Sequence, residues 1–238
     1  MAKILSIECG TAVCSVGLGI DGALVSLRES DATRNHASDL AMYIEEVLDE
    51  NQIRSGELDA VAVGSGPGSY TGLRIGSSTA KGLAYSLGKP LIVVDSLLAL
   101  ATLATQEYNA GILSIADPST ALIVPMIDAR RMEVYTSVFN LKLQRLEPTR
   151  AVVVDSDFLS FERERSEIIL LGDGGEKCYD MLSQYSENIR FTKIYSSARG
   201  MVALAQQQFM AGDFVDTAYW EPFYLKDFVA TQSKKKFF

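Results

Sequence analysis

Apolar and polar positions follow two periods along the chain, and the shorter period marks strands. The runs Lys3–Glu8 (KILSIE) and Leu122–Asp128 (LIVPMID) each end in a carboxylate and predict buried strands. After Glu8, the apolar positions Val13, Val16 and Leu18 lead to Asp21-Gly22, a pair suited to a type I′ turn. A second strand then runs through Leu24, Val25 and Leu27. After Asp128, residues Val134, Tyr135, Val138 and Phe139 lead to a turn at Asn140. Residues 58–63 (LDAVAV) and Ile168–Leu171 (IILL) are shorter strands. Each runs into glycines, GSGPG and GDGG, and then into a helical segment. Both halves read as strand, hairpin, helix, strand, helix, about half a chain apart. This order predicts an α/β protein of two lobes related by internal duplication, against the alternative of one larger sheet.

The 3.6-residue period marks helices. Over 36–51, Leu40, Tyr43, Ile44, Val47 and Leu48 form an apolar stripe opposite Glu45, Glu46, Asp49 and Glu50. Over 72–87, Gly72, Gly76, Ala80 and Ala84 recur at four-residue steps, a ridge without large side chains that lets another backbone come close. The segment 96–108 is apolar over most of its circumference and predicts a helix buried in its lobe; 175–185 and 198–211 predict two more. The resulting division is 1–110 for the first lobe and 111–215 for the second. A C-terminal segment, 216–238, carries the aromatic run TAYWEPFYLKD, which is suited to packing back on the first lobe.

Composition narrows the function. With 47% hydrophobic residues in 238, the chain has ample material for a core. Three cysteines, Cys9, Cys14 and Cys178, without CxxC spacing suggest neither a disulfide framework nor a zinc site, and a reduced, cytoplasmic setting is expected. No stretch approaches the ~20 apolar residues of a membrane span. The net charge of -8 argues against gripping RNA alone, since that takes a basic face. The basic run Lys234, Lys235, Lys236 reads as a solvated tail.

Spacing tests remove most enzymatic readings of the glycine-rich segment. Gly66, Gly68 and Gly72 give GxGxxxG, one residue too long for a dinucleotide fingerprint; no GK[ST] follows, and G-x-S-x-G is missing. A strand, a Gly-Pro-Gly turn and a helix N-terminus that could face an anion remain. Glu8, Gly10 and Thr11 in the first turn, with Gly172 and Gly174 in the second half, are the candidate nucleotide-cleft residues, and Glu8 with Asp128 could hold magnesium. No cation stands ready for a triphosphate, so a vacant cleft and a working one both stay open. The single histidine, His36, excludes a histidine metal pair and is expected to cap or pack, so no catalytic or metal residue is assigned. Arg130, Arg131 and Glu133 read as an ion-pair network.

The segments ILSIECGT, NHASDL, GSGPGSYTGLRIGSSTAKGLA, PMIDARRMEVY and LLGDGG resemble the TsaB (YeaZ) family of tRNA threonylcarbamoyladenosine biosynthesis. The match covers most of the first half and patches of the second, and GPGSYTGLRIG is long and specific. The resemblance implies an actin-like (ribonuclease H-like) fold, two duplicated lobes each built on a mixed sheet with hairpin strands and flanking helices. It also implies a non-catalytic activator of a TsaD-like paralogue, which modifies the tRNA adenosine beside the anticodon with help from a TsaE-like ATPase. The family pairs through its first two long helices, which makes Leu40, Ile44, Val47, Leu48, Gly72, Gly76, Ala80 and Ala84 the expected partner surface, for a heterodimer or, without the partner, a homodimer. Contact with tRNA would be indirect, no cofactor is certain, and ATP or ADP at the complex interface stays open. The alternatives are an actin-like ATPase and, last, a peptidase. The chain departs from the family at Ile7-Glu8-Cys9-Gly10, where I-D-T-S is usual, and at His36-Ala37-Ser38, where H-S-E is usual.

Overall fold

The computed structural model describes residues 1–30 and 36–226, apart from the side chains of His36, Ala37 and Ser38. The Lys234–Lys236 run and any capping by the His36 side chain lie outside what is described. The first sheet is built from β1 (Lys3–Glu8), β2 (Ser15–Ile20), β3 (Ala23–Glu29), then, after helix α1 (His36–Glu50), β4 (Ala60–Gly64) and, after helix α2 (Tyr70–Leu87), β5 (Leu91–Val94). Helix α3 (Ser96–Asn109) crosses to the second sheet, which begins with β6 (Leu122–Asp128), β7 (Glu133–Asn140), β8 (Arg145–Val153) and β9 (Ile168–Leu171) and is completed by β10 (Ile189–Phe191). Helix α4 (Gly172–Leu182) stands between β9 and β10, and α5 (Val202–Ala211) follows.

The strand orders are β3-β2-β1-β4-β5 and β8-β7-β6-β9-β10, the same plan twice. In each, a hairpin adds two antiparallel strands to one side of the first strand, and parallel strands add to its other side. This is the duplicated two-lobe plan expected from the sequence, each lobe a mixed sheet with hairpin strands and flanking helices. Turn chemistry agrees at β2–β3: Asp21 and Gly22 both have positive φ, 49° and 81°, as a type I′ turn demands.

Strand alternation distributes each sheet between two cores. In the first, Leu5, Ile7, Val61 and Val63 face α1 and α2, while Ile4, Ala60, Ala62 and Ile92 face Met201 and Ala205. In the second, Ile123, Ile127, Phe139 and Ile169 face Leu97 and Leu100 of α3, while Val124, Met126, Val138 and Leu170 face Cys178 and Leu182 of α4. Chain order therefore separates the strands at about residue 110 but not the helices. Helix α3 lies on the second sheet, and residues 198–211 return to the first.

One slot of the repeat is not filled. Where α1 stands in the first half, the second half has only a short 3-10 turn, Glu162–Glu164, between β8 and β9. The preceding stretch contributes Phe158 and Leu159 to the core without the apolar spacing of a helix. Past α5, the chain turns at Gly212 and runs back along the first sheet. Val215 N–H donates to Leu91 O at 3.0 Å, Lys81 Nζ donates to the carbonyls of Ala218 and Trp220 at 3.3 and 2.9 Å, and Phe223 N–H donates to Ser65 O at 2.8 Å.

Candidate functional site

The strand end at Glu8 organises the region where the two lobes meet. Glu8 is 1% exposed. The N–H of Gly10 donates to its Oε1 at 2.7 Å, and the Ser96 hydroxyl donates to its Oε2 at 2.8 Å. Ser96 Oγ in turn accepts from Gly66 N–H at 3.2 Å, so one carboxyl ties together β1, the glycine-rich loop and the start of α3. Burial pushes its pKa up, against the lowering effect of these hydrogen bonds. Gly64 makes the space: a Cβ there would stand 2.2 Å from Glu8 Oε2. Glu8 is thus a structural hub enclosed by protein, and its carboxyl and the Gly10 N–H satisfy one another.

The glycines of the family signature serve the same contact. A Cβ on Gly68 would stand 2.2 Å from Gly10 O, and one on Gly72 would stand 1.9 Å from Cys9 O. Ser69 caps α2 by accepting from Gly72 N–H, and the Ser69 N–H donates to Gly10 O at 2.6 Å. Gly76 faces the Cys9 side chain, and Ala80 and Ala84 are fully buried among the strands. The small-residue ridge therefore brings α2 down onto the chain's own sheet. The stripe of α1 does likewise: Leu40, Val47 and Leu48 are 1%, 0% and 6% exposed, and Ile44 packs on the same cluster. All eight residues expected to face a partner are inward-facing. Helix periodicity identifies an apolar face but does not say what covers it.

The second half of the candidate cleft behaves similarly. A Cβ on Gly172 would stand 2.3 Å from Met126 O, and Gly174 lies against the backbone of Met126 and Ile127, so both glycines permit α4 to sit on β6. Asp173 occupies the helix start between them. Its Oδ1 accepts from Gly174 N–H at 2.9 Å and from Asp128 N–H at 3.0 Å, and burial raises its pKa, with Asp128 adding to the effect. A cavity of about 320 Å³ opens between the lobes here, walled by Thr11, Ala12 and Val13 on one side and Asp173, Glu176, Tyr195 and Ser196 on the other. Of the five candidate nucleotide residues, only Thr11 lines it. Among the described residues its walls carry two carboxylates and no Lys or Arg. The Asp173 carboxylate already occupies the place an anion would take at the α4 N-terminus. These residues do not fit a nucleotide's phosphates. Asp128 is not held for magnesium either: Lys177 pairs with it and also donates to Glu133 O at 2.8 Å, while Lys226 pairs with the Glu133 side chain. Among the described residues, no group of three His, Cys, Asp or Glu side chains is placed to hold a metal ion.

Sequence reasoning passed over the cleft's second wall. Asp173 sits inside the noticed GDGG, but Tyr195 and Ser196 lie in an irregular stretch with no periodic or motif signal. It also passed over Cys9 and Cys14, whose sulfurs are bonded across the turn that joins β1 to β2. The antiparallel register explains their meeting, because Glu8 opposes Ser15 and the next pair outward is Cys9 and Cys14. Spacing alone gives no such pairing, since it does not reveal where the hairpin folds.

Known proteins place this arrangement. The family model described as TsaD, tRNA N6-adenosine threonylcarbamoyltransferase, matches residues 29–227. The tRNA threonylcarbamoyladenosine biosynthesis protein TsaB of Escherichia coli (strain K12) is 29% identical over 233 residues, 96% of each chain. Among solved structures, YeaZ from Pseudomonas aeruginosa superposes with a TM-score of 0.72 at 25% identity, covering 94% of this chain and 100% of that one. An uncharacterized protein with similarity to peptidase YEAZ, also from Pseudomonas aeruginosa, superposes at 0.76 with 24% identity, covering 95% and 100%, and supports the fold. With two lobes of one plan, the glycine signature seated on the first turn and relatives matched over nearly the whole length, the chain belongs to the family of the TsaD model, among its TsaB (YeaZ) members.

Proposed function

We propose that the chain is a non-catalytic partner subunit in tRNA threonylcarbamoyladenosine biosynthesis, pairing with a TsaD-type transferase through the outer faces of α1 and α2. Gly82 carries the reading. It stands in the middle of the 18-residue helix α2, is exposed, and a Cβ there would meet nothing within 4 Å. Glycine in a helix interior costs about 1 kcal/mol relative to alanine, and nothing among the described residues requires it. Ser78 and Ser86, one turn away on either side, are also exposed, and Tyr85 beside them is 83% exposed. This outer row of small side chains flanked by an aromatic ring suits a second helix approaching closely. On α1 the matching outer positions are Ala41, Met42, Glu45 and Asp49. The same faces would serve a homodimer when the transferase is absent. A TsaE-like ATPase would act on the assembled pair, and tRNA would be held by the complex.

The acidic cleft supports a scaffolding role over nucleotide chemistry in this subunit. Reconstitution of tRNA modification with purified components tests the proposal. Omitting this chain should abolish or sharply reduce product, and an unchanged rate would contradict it. Gly82→Trp should remove the pair from size-exclusion profiles while leaving the circular dichroism of the chain alone unchanged; a persisting complex would place the interface elsewhere.

A further inference from the structure

The cavity between the lobes is better suited to a ligand other than a nucleotide. Its first wall is Thr11, Ala12 and Val13, apolar apart from one hydroxyl; the second presents the Tyr195 ring and the carboxylates of Asp173 and Glu176, one helical turn apart. Glu176 Oε2 accepts from Tyr195 O–H at 2.8 Å, which fixes the ring and the carboxylate relative to each other. Ser196, on the same wall, is 5% exposed, and its hydroxyl oxygen is buried with no hydrogen-bond partner among the described residues. A buried hydroxyl without a partner is uncommon in a folded protein and points to a group supplied from outside. The nearest lysine on α4, Lys177, is drawn away to Asp128 and Glu133. Lys193 and Arg199 line the adjoining pocket, and Arg199 is paired with Glu107.

We infer that this cavity binds a small organic ammonium ion, its charged nitrogen against Asp173, Glu176 and the Ser196 hydroxyl and its apolar body between Val13 and the Tyr195 ring. Each part of the wall has a role in that assignment. Two carboxylates with no lining cation among the described residues attract positive charge, and an overall charge of -8 raises the local concentration of cations. An aromatic face beside them favours the cation further. The apolar side selects an ammonium with a hydrocarbon body over a bare metal ion, for which no third ligand is present among the described residues. Burial already holds the Asp173 carboxyl above its ordinary range, and an adjacent cation would stabilise its charged form. The inference does not rest on the pairing proposed for α1 and α2, none of whose residues lines this cavity.

The test is an NMR titration of the intact, isotope-labelled chain with 3-methylbutylammonium chloride, at constant ionic strength, against its neutral isostere 3-methylbutan-1-ol. The ammonium is expected to shift amides of residues 11–13, 173–176 and 195–196 in a saturable way, and the alcohol to bind at least about tenfold more weakly. Asp173→Asn combined with Glu176→Gln should weaken the ammonium by about tenfold or more. Val13→Phe, which fills the cavity and leaves the acids in place, should weaken it too and guards against a folding defect in the first variant. Equal binding of alcohol and ammonium, full binding by either variant, no saturable shifts at all, or the same amides moving with inorganic phosphate would each overturn the inference.

Discussion

Gly64 and Gly72 show how a single hydrogen atom can decide a fold. At each, a methyl group would enter space already held, by the Glu8 carboxyl at 2.2 Å or the Cys9 carbonyl at 1.9 Å. Backbone and a buried, hydrogen-bonded carboxyl do not yield as a flexible side-chain end does. Gly72→Ala is therefore expected to destabilise by about 3 kcal/mol or more, which urea denaturation would measure; a loss below about 1 kcal/mol would mean the α2 start is free to shift. Glu8 itself predicts a pH dependence. Burial raises its pKa above 4.5, so the folded state holds the proton more tightly than the unfolded state. Stability from this group is complete below 4.5 and is lost as pH rises through the raised value. Glu8→Gln should flatten that part of the profile, seen as denaturation midpoints varying less across the range above 4.5 than in the parent chain.

At the scale of elements, α2 carries two patterns on opposite sides. Its inner row, Gly72, Gly76, Ala80 and Ala84, was plain in the sequence as a ladder of small residues, and its outer row, Ser78, Gly82 and Ser86, was overlooked. Both read alike in one dimension, because small side chains at four-residue steps permit close packing on whichever side an element arrives. The buried neighbours Leu73 and Ser77 belong with the inner row, and that burial separates the two. Gly82→Ala distinguishes them by experiment: it should stabilise the isolated chain by about 1 kcal/mol through helix propensity. If the outer face pairs, the same change weakens the complex. A chain that loses stability on this substitution would show that Gly82 answers an internal need. The empty helix slot between β8 and β9 is a different lesson. The duplication predicted an element there by analogy, but the local sequence, dense in Asp, Glu, Arg and Ser, has no apolar stripe to bury.

For the molecule as a whole, the C-terminal strand of coil acts as a strap across the lobes. It is hydrogen-bonded to β5 and the glycine loop in the first lobe, packs the Tyr224 ring against Tyr70 at a tilt of 44° with centroids 4.9 Å apart, and reaches Glu133 of the second through Lys226. Lys81, donating to two of its carbonyls, anchors it at the centre. Lys81→Met is expected to cost about 1–2 kcal/mol and to speed hydrogen exchange at Val215 and Phe223 before the strands open; unchanged exchange there would show that the strap is held by its aromatic residues alone.

The amino-acid sequence by itself determined the strands, the hairpin turns, most of the helices and the duplicated plan, because these follow from the period of apolar positions and from turn residues acting over a few positions. It also determined family membership, through a long glycine signature. Only the tertiary structure decided which faces are already covered, that α3 and α5 exchange lobes, that Cys9 meets Cys14, and that the cleft is acidic. Those properties arise from contacts between residues far apart in the chain, and a side chain's burial depends on what folds against it. The eight residues expected to meet a second subunit pack within their own lobe, because the first sheet covers the face that their spacing marks as apolar or small.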